Sequence, residues 1–255
     1  MPLPLENKVA IVTGATGGIG VATVKRLAAD GANIIASGRN TQRLEELAAI
    51  GPEVIAQQSD VSYDGDARAL VERAESEFGR LDVLFNGAGI VGENALIEDQ
   101  SLENFDHVMA VNVTGTFLTM KYAIPALRKN GGGAIINVSS AAGVQGGRPT
   151  MPVYCASKHA VIGLTRVGAK AHAGEGIRIN AIVPGQIDTG MLAAVEQDAF
   201  PGDLVEARKR VLGGIPAGRY GEPDEVAALV AFLCRDDAKF ISGSIYTIDG
   251  ALTPF

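Results

Sequence analysis

The amino-acid sequence predicts an α/β protein in which a doubly wound parallel sheet of about seven strands carries helices on both faces. Three observations predict it. Short β-branched runs alternate with amphipathic stretches along the chain. Those runs are near-continuously apolar, which marks strands buried on both faces rather than strands with one wet face. The first run ends in a glycine-rich turn that opens a helix. Strand–helix alternation with right-handed crossovers winds into such a sheet, and its ligand crevice lies beyond the C-terminal strand ends.

The first strand is Val9–Thr13, and its helix runs to about Asp30, where Gly31 gives a stop signal. Asn33–Ser37 is the second strand and Thr41–Ile50 the second helix. Val54–Gln58 is the third strand, followed by a helical stretch over Asp66–Phe78. Val83–Phe85 forms the heart of the fourth strand. A long helical pattern extends from about Leu102 to Lys129, and Ala134–Val138 is the fifth strand. A helix starts near Tyr154, Arg178–Val183 is the sixth strand, Glu225–Cys234 a further helix and Ser244–Ile248 the last strand. No repeat or linker interrupts the series, so the 255 residues read as one domain. A chain of this length buries roughly 70–75% of its unfolded surface and needs no disulfide or metal.

The net charge of −7 argues against nucleic acid or an anionic membrane as partner. No apolar run reaches the roughly 18–20 residues that span a bilayer, and the N-terminus lacks a signal-peptide pattern. With Cys155 and Cys234 as the two cysteines, a reduced cytoplasmic protein is the expectation.

The informative residues sit just after the strands. Thr13-Gly14-Ala15-Thr16-Gly17-Gly18-Ile19-Gly20 follows the first. Its glycines let the backbone turn sharply and approach a pyrophosphate, which the N–H groups and dipole of the following helix attract. The pattern is T-G-x-x-x-G-x-G, and here the sequence resembles the short-chain dehydrogenase/reductase family, a Rossmann-type fold. Asp60-Val61 follows the third strand, where the family contacts adenine. Asn86-Gly87-Ala88-Gly89 follows the fourth and is similar to the family's N-N-A-G. Asn112, Ser140, Tyr154 and Lys158 match its N-S-Y-K tetrad. Pro184-Gly185 follows the sixth strand, with Ile187 and with Thr189 placed to cap the cofactor carboxamide. The resemblance covers nearly the whole chain. One departure is that Ser140 precedes Tyr154 by 14 residues where the family usually has 13. Ser140 is chosen over Ser139 because Ser140-Ala141-Ala142-Gly143 matches S-x-x-G, which puts the extra residue in the loop Val144–Val153 bordering substrate.

Tyr154 and Lys158 stand at i and i+4 and share a helix face. Lowering a phenol by about three pKa units takes about 4 kcal/mol. An ammonium about 4–5 Å away, at an effective dielectric near 20, contributes roughly that amount. Lys158 is therefore expected to be the main source of the acidity that lets Tyr154 act as general acid/base. The resemblance implies that Lys158 also holds the nicotinamide ribose, and that Asn112 holds a water relaying protons to it. Ser140 would donate to the substrate oxygen. Cys155 and His159 read as packing residues, and His107 and His172 show no ligand spacing, so no metal is expected.

The second strand runs into Gly38-Arg39, with glycine where an NAD-preferring domain places a carboxylate. A guanidinium at Arg39 suits a 2′-phosphate, so NADP(H) is expected, with NAD as the alternative. Residues from about 190 to 214 resemble the family's substrate lid. Met191, Leu192, Val195, Phe200, Leu204 and Val211, with Val144, Met151 and Val153, give a mostly apolar pocket, to which Gln145, Gln186 and Arg148 add polar contacts. That favours a small or medium ketone or aldehyde, cyclic ones included, and the matching secondary alcohol. The C-terminal third looks like 3-oxoacyl-carrier-protein reductases, which makes that activity the alternative, although a docking rim of cations is sparse around Arg128 and Lys129. A non-catalytic dinucleotide sensor is the third reading. The resemblance also implies a homotetramer built on the Asn112 helix, the Tyr154 helix and the last strand, with the apolar tail Ala251–Phe255 buried.

Overall fold

The computed structural model describes residues 2–199 and 202–253. Seven parallel strands form one sheet in the order β3-β2-β1-β4-β5-β6-β7. They are β1 (Val9–Thr13), β2 (Asn33–Gly38), β3 (Val54–Gln58), β4 (Val83–Asn86), β5 (Gly133–Val138), β6 (Ile177–Pro184) and β7 (Ile245–Ile248). The chain winds outward through β2 and β3, returns to the centre at β4, and winds the other way. The order reverses between β1 and β4, and a crevice opens beyond their C-terminal ends.

Strand side chains alternate between two cores. Ala10 and Val12 face a layer containing Val24 and Leu27 of α1 (Gly18–Ala29), Leu44 of α2 (Thr41–Ala48) and Val226 and Val230 of α9 (Pro223–Cys234). Val9 and Ile11 face Leu70 of α3 (Asp64–Phe78), Met120 of α5 (Gly115–Lys129) and Ala169 of α6 (Pro152–His172). Each Val, Leu, Ile or Met among them, fully withdrawn from water, contributes about 1.5–3 kcal/mol. With both faces covered the strands need no polar alternation, which is why they read as continuous apolar runs.

The expected long helix over Leu102–Lys129 is broken. It consists of α4 (Leu102–Met109), a π-turn at Ala110–Thr114 and α5. The extra residue in the π-turn shifts the helix register at Asn112. The segment 190–214 forms two helices, α7 (Gly190–Ala199) and α8 (Leu204–Gly213). No helix among the described residues is long and apolar enough to cross a membrane.

Candidate active site

The crevice holds a cavity of about 550 Å³ that runs from the glycine turn to Tyr154 and α7. At one end the backbone itself is the binding surface. Gly14 sits at φ +65°, and an added Cβ there would lie 2.6 Å from the Ala88 nitrogen. A Cβ on Gly20 would lie 2.8 Å from the Ala15 Cα. Gly17 begins α1 with no side-chain cap, so the helix's first N–H groups face the cavity without an intrahelical partner. An uncapped helix end on a wall of bare backbone fits a diphosphate. Gly14, Gly18, Ile19, Gly20, Gly89, Pro184, Gly185, Ile187 and Thr189 all line this space. Thr189 caps the start of α7, accepting from the Leu192 N–H and donating to the Ile187 carbonyl.

Three of the four tetrad residues meet at the other end. Ser140 ends the β5 extension and hydrogen-bonds Tyr154 on α6. Ser139 is turned away, buried, with its hydroxyl donating to the Lys158 carbonyl at 2.8 Å. The structure thus puts Ser140, not Ser139, on Tyr154. Gly143 lets this loop lie on α6, since a Cβ there would stand 2.9 Å from the Lys158 carbonyl carbon. Lys158 is buried, its Nζ donating to the Val138 carbonyl at 2.9 Å and lying 5.6 Å from the Tyr154 ring centre.

The electrostatics correct the sequence expectation. Burial pushes the Tyr154 phenol above its ordinary value, and the Ser140 hydrogen bond pulls against it. Burial pushes Lys158 down to about 8. Among the protein's own groups, the phenol is set by burial against the Ser140 hydrogen bond.

The Asn112 hydrogen bonds go to Ile90 and Ser157 rather than to Tyr154. From the π-turn its Oδ1 accepts the Ile90 N–H at 2.8 Å, and its Nδ2 donates to the Ile90 carbonyl and to Ser157, both at 2.9 Å. It clamps the chain after β4 against α6, beside Gly89, whose added Cβ would lie 3.2 Å from Lys158 Nζ. Both amide hydrogens are used, so the Oδ1 retains one free acceptor position for a water.

Several expected cofactor residues lie off the cavity wall. Asn86 is buried, donating to Asn137 at 2.9 Å and accepting from Thr119 at 2.7 Å. It ties β4 to β5 and α5. Val61 is buried against Gly115, and Asp60 accepts from the Ser62 backbone and hydroxyl. Ala88 supports the Gly14 turn from behind. Arg39 is exposed just beyond β2, with Thr16 behind Gly38. The sequence reading missed Arg43. Asn40 caps α2 by accepting the Arg43 N–H, and the Arg43 guanidinium lines the cavity, donating to the Thr16 carbonyl at 2.8 Å. Asparagine followed by a helical pattern was the available signal. Leu252 and Thr253 were missed as well, brought to the cavity because Asp249 accepts from the Thr253 backbone at 2.9 Å.

Of the expected substrate residues, Gln145, Arg148, Met151, Gln186, Met191, Leu192 and Val195 line the cavity. Val153 does not; it is buried on the inner face of α6. Neither does Val144, and Val211 packs behind the wall with Leu192, Ile215 and Tyr220. Phe200, Pro254, Phe255 and the Leu204 side chain lie outside the described residues. Cys155 and His159 satisfy backbone groups, the thiol donating to the Ala142 carbonyl and the ring meeting the Cys155 carbonyl.

A family model described as Enoyl-(Acyl carrier protein) reductase matches residues 14–253. Cyclohexanol dehydrogenase of Acinetobacter sp. (strain SE19) is 41% identical over 252 residues, which cover 97% of this chain and 96% of that protein. A 3-oxoacyl-[acyl-carrier-protein] reductase of Thermotoga maritima is 37% identical over 256 residues, covering 97% and 98%. The crystal structure of levodione reductase matches with a TM-score of 0.95 at 35% identity, over 98% of this chain and all of that one (100%). The fold, the glycine turn and these likenesses agree: the chain belongs to the short-chain dehydrogenase/reductase family and is an NAD(P)-dependent oxidoreductase acting on CH–OH groups.

Proposed function

We propose that the protein interconverts a secondary alcohol, carbocyclic ones included, and its ketone with NADP(H), using Tyr154 as general acid/base. The observation that carries this reading is the meeting of Ser140, Tyr154 and Lys158 in a cavity that begins at an uncapped, glycine-lined helix end. When bound, the nicotinamide gives or accepts the hydride. Tyr154 hands a proton to the oxygen as it becomes an alkoxide, and Ser140 donates a second hydrogen bond to that oxygen. Lys158 supplies a positive charge under the phenol and hydroxyl-binding capacity for the ribose. The role of Asn112 is to fix the chain after β4 beside Lys158, with its free acceptor position oriented for a water. Gln145 and Gln186 contact the substrate. The wall of Met151, Met191, Leu192 and Val195 suits a compact apolar body, and cyclohexanol dehydrogenase acts, by its name, on such a ring.

NADP(H) is the preferred cofactor in this reading. A Cβ on Gly38 would lie 2.9 Å from both Thr16 Oγ1 and Cγ2, so the NAD-type carboxylate lacks room. Arg39 follows that position in the chain, exposed, and Arg43 donates to the carbonyl of the same Thr16. One charge-assisted hydrogen bond to a 2′-phosphate amounts to roughly 10–150-fold in preference. The ratio of kcat/KM for NADPH over NADH is expected above ten and reduced by that factor in Arg39→Ala; a wild-type preference for NADH would refute it.

Reduction of acyl thioesters on a carrier protein is the second reading, favoured by the Thermotoga relative. Against it, Arg128 is paired with Glu175 and Lys129 with Glu75, which leaves little free positive charge for an acidic carrier. A panel of ketones, diketones and carrier-linked thioesters, followed by NADPH absorbance, separates the two. Faster turnover of the thioesters would reverse the order.

Assembly as a homotetramer belongs to the same proposal. Phe105 of α4, Phe117 of α5 and Val167 of α6 are exposed, and β7 is an edge strand that requires cover. Light scattering after size exclusion tests it. Two free cysteines support a reducing, cytoplasmic setting.

A further inference from the structure

The substrate end of the cavity carries one guanidinium that the fold leaves unengaged. Arg43 and Lys158 also line the cavity, but each donates to a backbone carbonyl. Arg148 is half-buried on the wall, and among the described residues no ion pair or side-chain hydrogen bond holds it. No Asp or Glu lines this cavity among the described residues. Val91, Met151, Met191, Leu192 and Val195 line the same cavity.

The backbone that carries Arg148 is fixed at three points. The Arg148 carbonyl accepts the Met151 N–H at 3.0 Å, and the Thr150 carbonyl accepts the Ala95 N–H at 3.0 Å. Gly147 lies so close to α6 that a Cβ would stand 3.3 Å from Cys155 Sγ. The loop is the one that carries the extra residue between Ser140 and Tyr154. A guanidinium half-withdrawn from water in a cavity without a carboxylate is stabilised most by a bidentate anionic acceptor. The fold supplies none, and the cavity is where one would come from.

We propose that the substrate bears a carboxylate besides its reacting carbonyl or hydroxyl, and that Arg148 grips it while Tyr154 and Ser140 hold the reacting oxygen. The substrate class is then an oxo- or hydroxy-acid with a compact apolar body between its two polar ends. This rests on the ketone/alcohol reading of the site and narrows it.

The test compares 4-oxocyclohexanecarboxylate with cyclohexanone. In the wild type, kcat/KM for the acid is expected at least tenfold above that for the plain ketone. Arg148→Met should lower that ratio by roughly 10–150-fold, the range of one charge-assisted hydrogen bond, with Arg148→Lys intermediate. A readout independent of turnover is calorimetric titration of the protein with cyclohexanecarboxylate, whose Kd should rise at least tenfold in Arg148→Met. A wild-type ratio at or below one, or a ratio and a Kd unmoved by the substitution, overturns the proposal. Failure to turn over any ketone overturns the ketone reading instead, and the titration still decides for or against Arg148.

Discussion

At the scale of single residues, the site trades stability for chemistry, and Lys158 shows it most clearly. Its ordinary value of 10.5 falls to about 8 on burial, a difference of about 3 kcal/mol. Below pH 8 the lysine is protonated folded and unfolded, so the cost is fully present. Between about 8 and 10.5 the folded chain releases the proton first, and the cost fades as pH rises. Lys158→Met is therefore expected to raise Tm at pH 7, less the bond to the Val138 carbonyl, with the gain shrinking toward pH 10.5. A gain that grows with pH would contradict this. The glycine turn, Ser140 and Pro184-Gly185 were legible in the sequence because each follows a strand, and Tyr154 and Lys158 because their spacing puts them on one helix face. The electrostatic balance was not, because depth of burial is a property of the packed structure. Arg43 escaped because its reach toward Thr16 depends on where α2 starts, which Asn40 sets from three residues away.

Among the elements, α7 and α8 hang on a small polar network. The Tyr220 hydroxyl donates to Glu196 of α7, Arg208 of α8 stacks 4.7 Å from the Tyr220 ring centre, and the same arginine pairs with Asp188 at 3.0 Å. Glu196 is buried, so removal of its donor leaves a carboxylate oxygen without compensation. Tyr220→Phe is expected to cost about 1–3 kcal/mol in denaturant unfolding and to raise the KM for ketone several-fold with a smaller effect on kcat. An unchanged KM would remove α7 from the substrate wall. The break in the α4–α5 pattern was the least legible element. Ala110–Thr114 contains no Gly or Pro and continues the apolar rhythm, and the π-turn is held by Asn112 reaching Ile90 and Ser157, partners 22 and 45 residues away. Asn112→Ala leaves the Ile90 N–H and carbonyl unpaired, and should destabilise the fold by about 2–4 kcal/mol by the same reasoning, measured by the same unfolding.

For the whole molecule, one winding reversal explains why the chemistry converges. Because β1 and β4 are neighbours and β5 and β6 follow, the segments after four strands open into one crevice, although they come from residues as far apart as Gly14 and Thr189. The strand runs made this arrangement readable, since β1 and β3 fall where their apolar patterns place them. The C-terminal return was not readable, because Leu252 and Thr253 reach the cavity only through Asp249. The central claim is that this crevice performs hydride transfer coupled to proton transfer at Tyr154. Its most direct measurement is Tyr154→Phe, assayed for ketone turnover and, separately, for NADPH binding by fluorescence titration. The expected result is a loss of kcat of about 10²–10⁴-fold, the contribution of general acid/base catalysis, with NADPH affinity held within about threefold. Turnover near wild-type level in Tyr154→Phe would contradict the account.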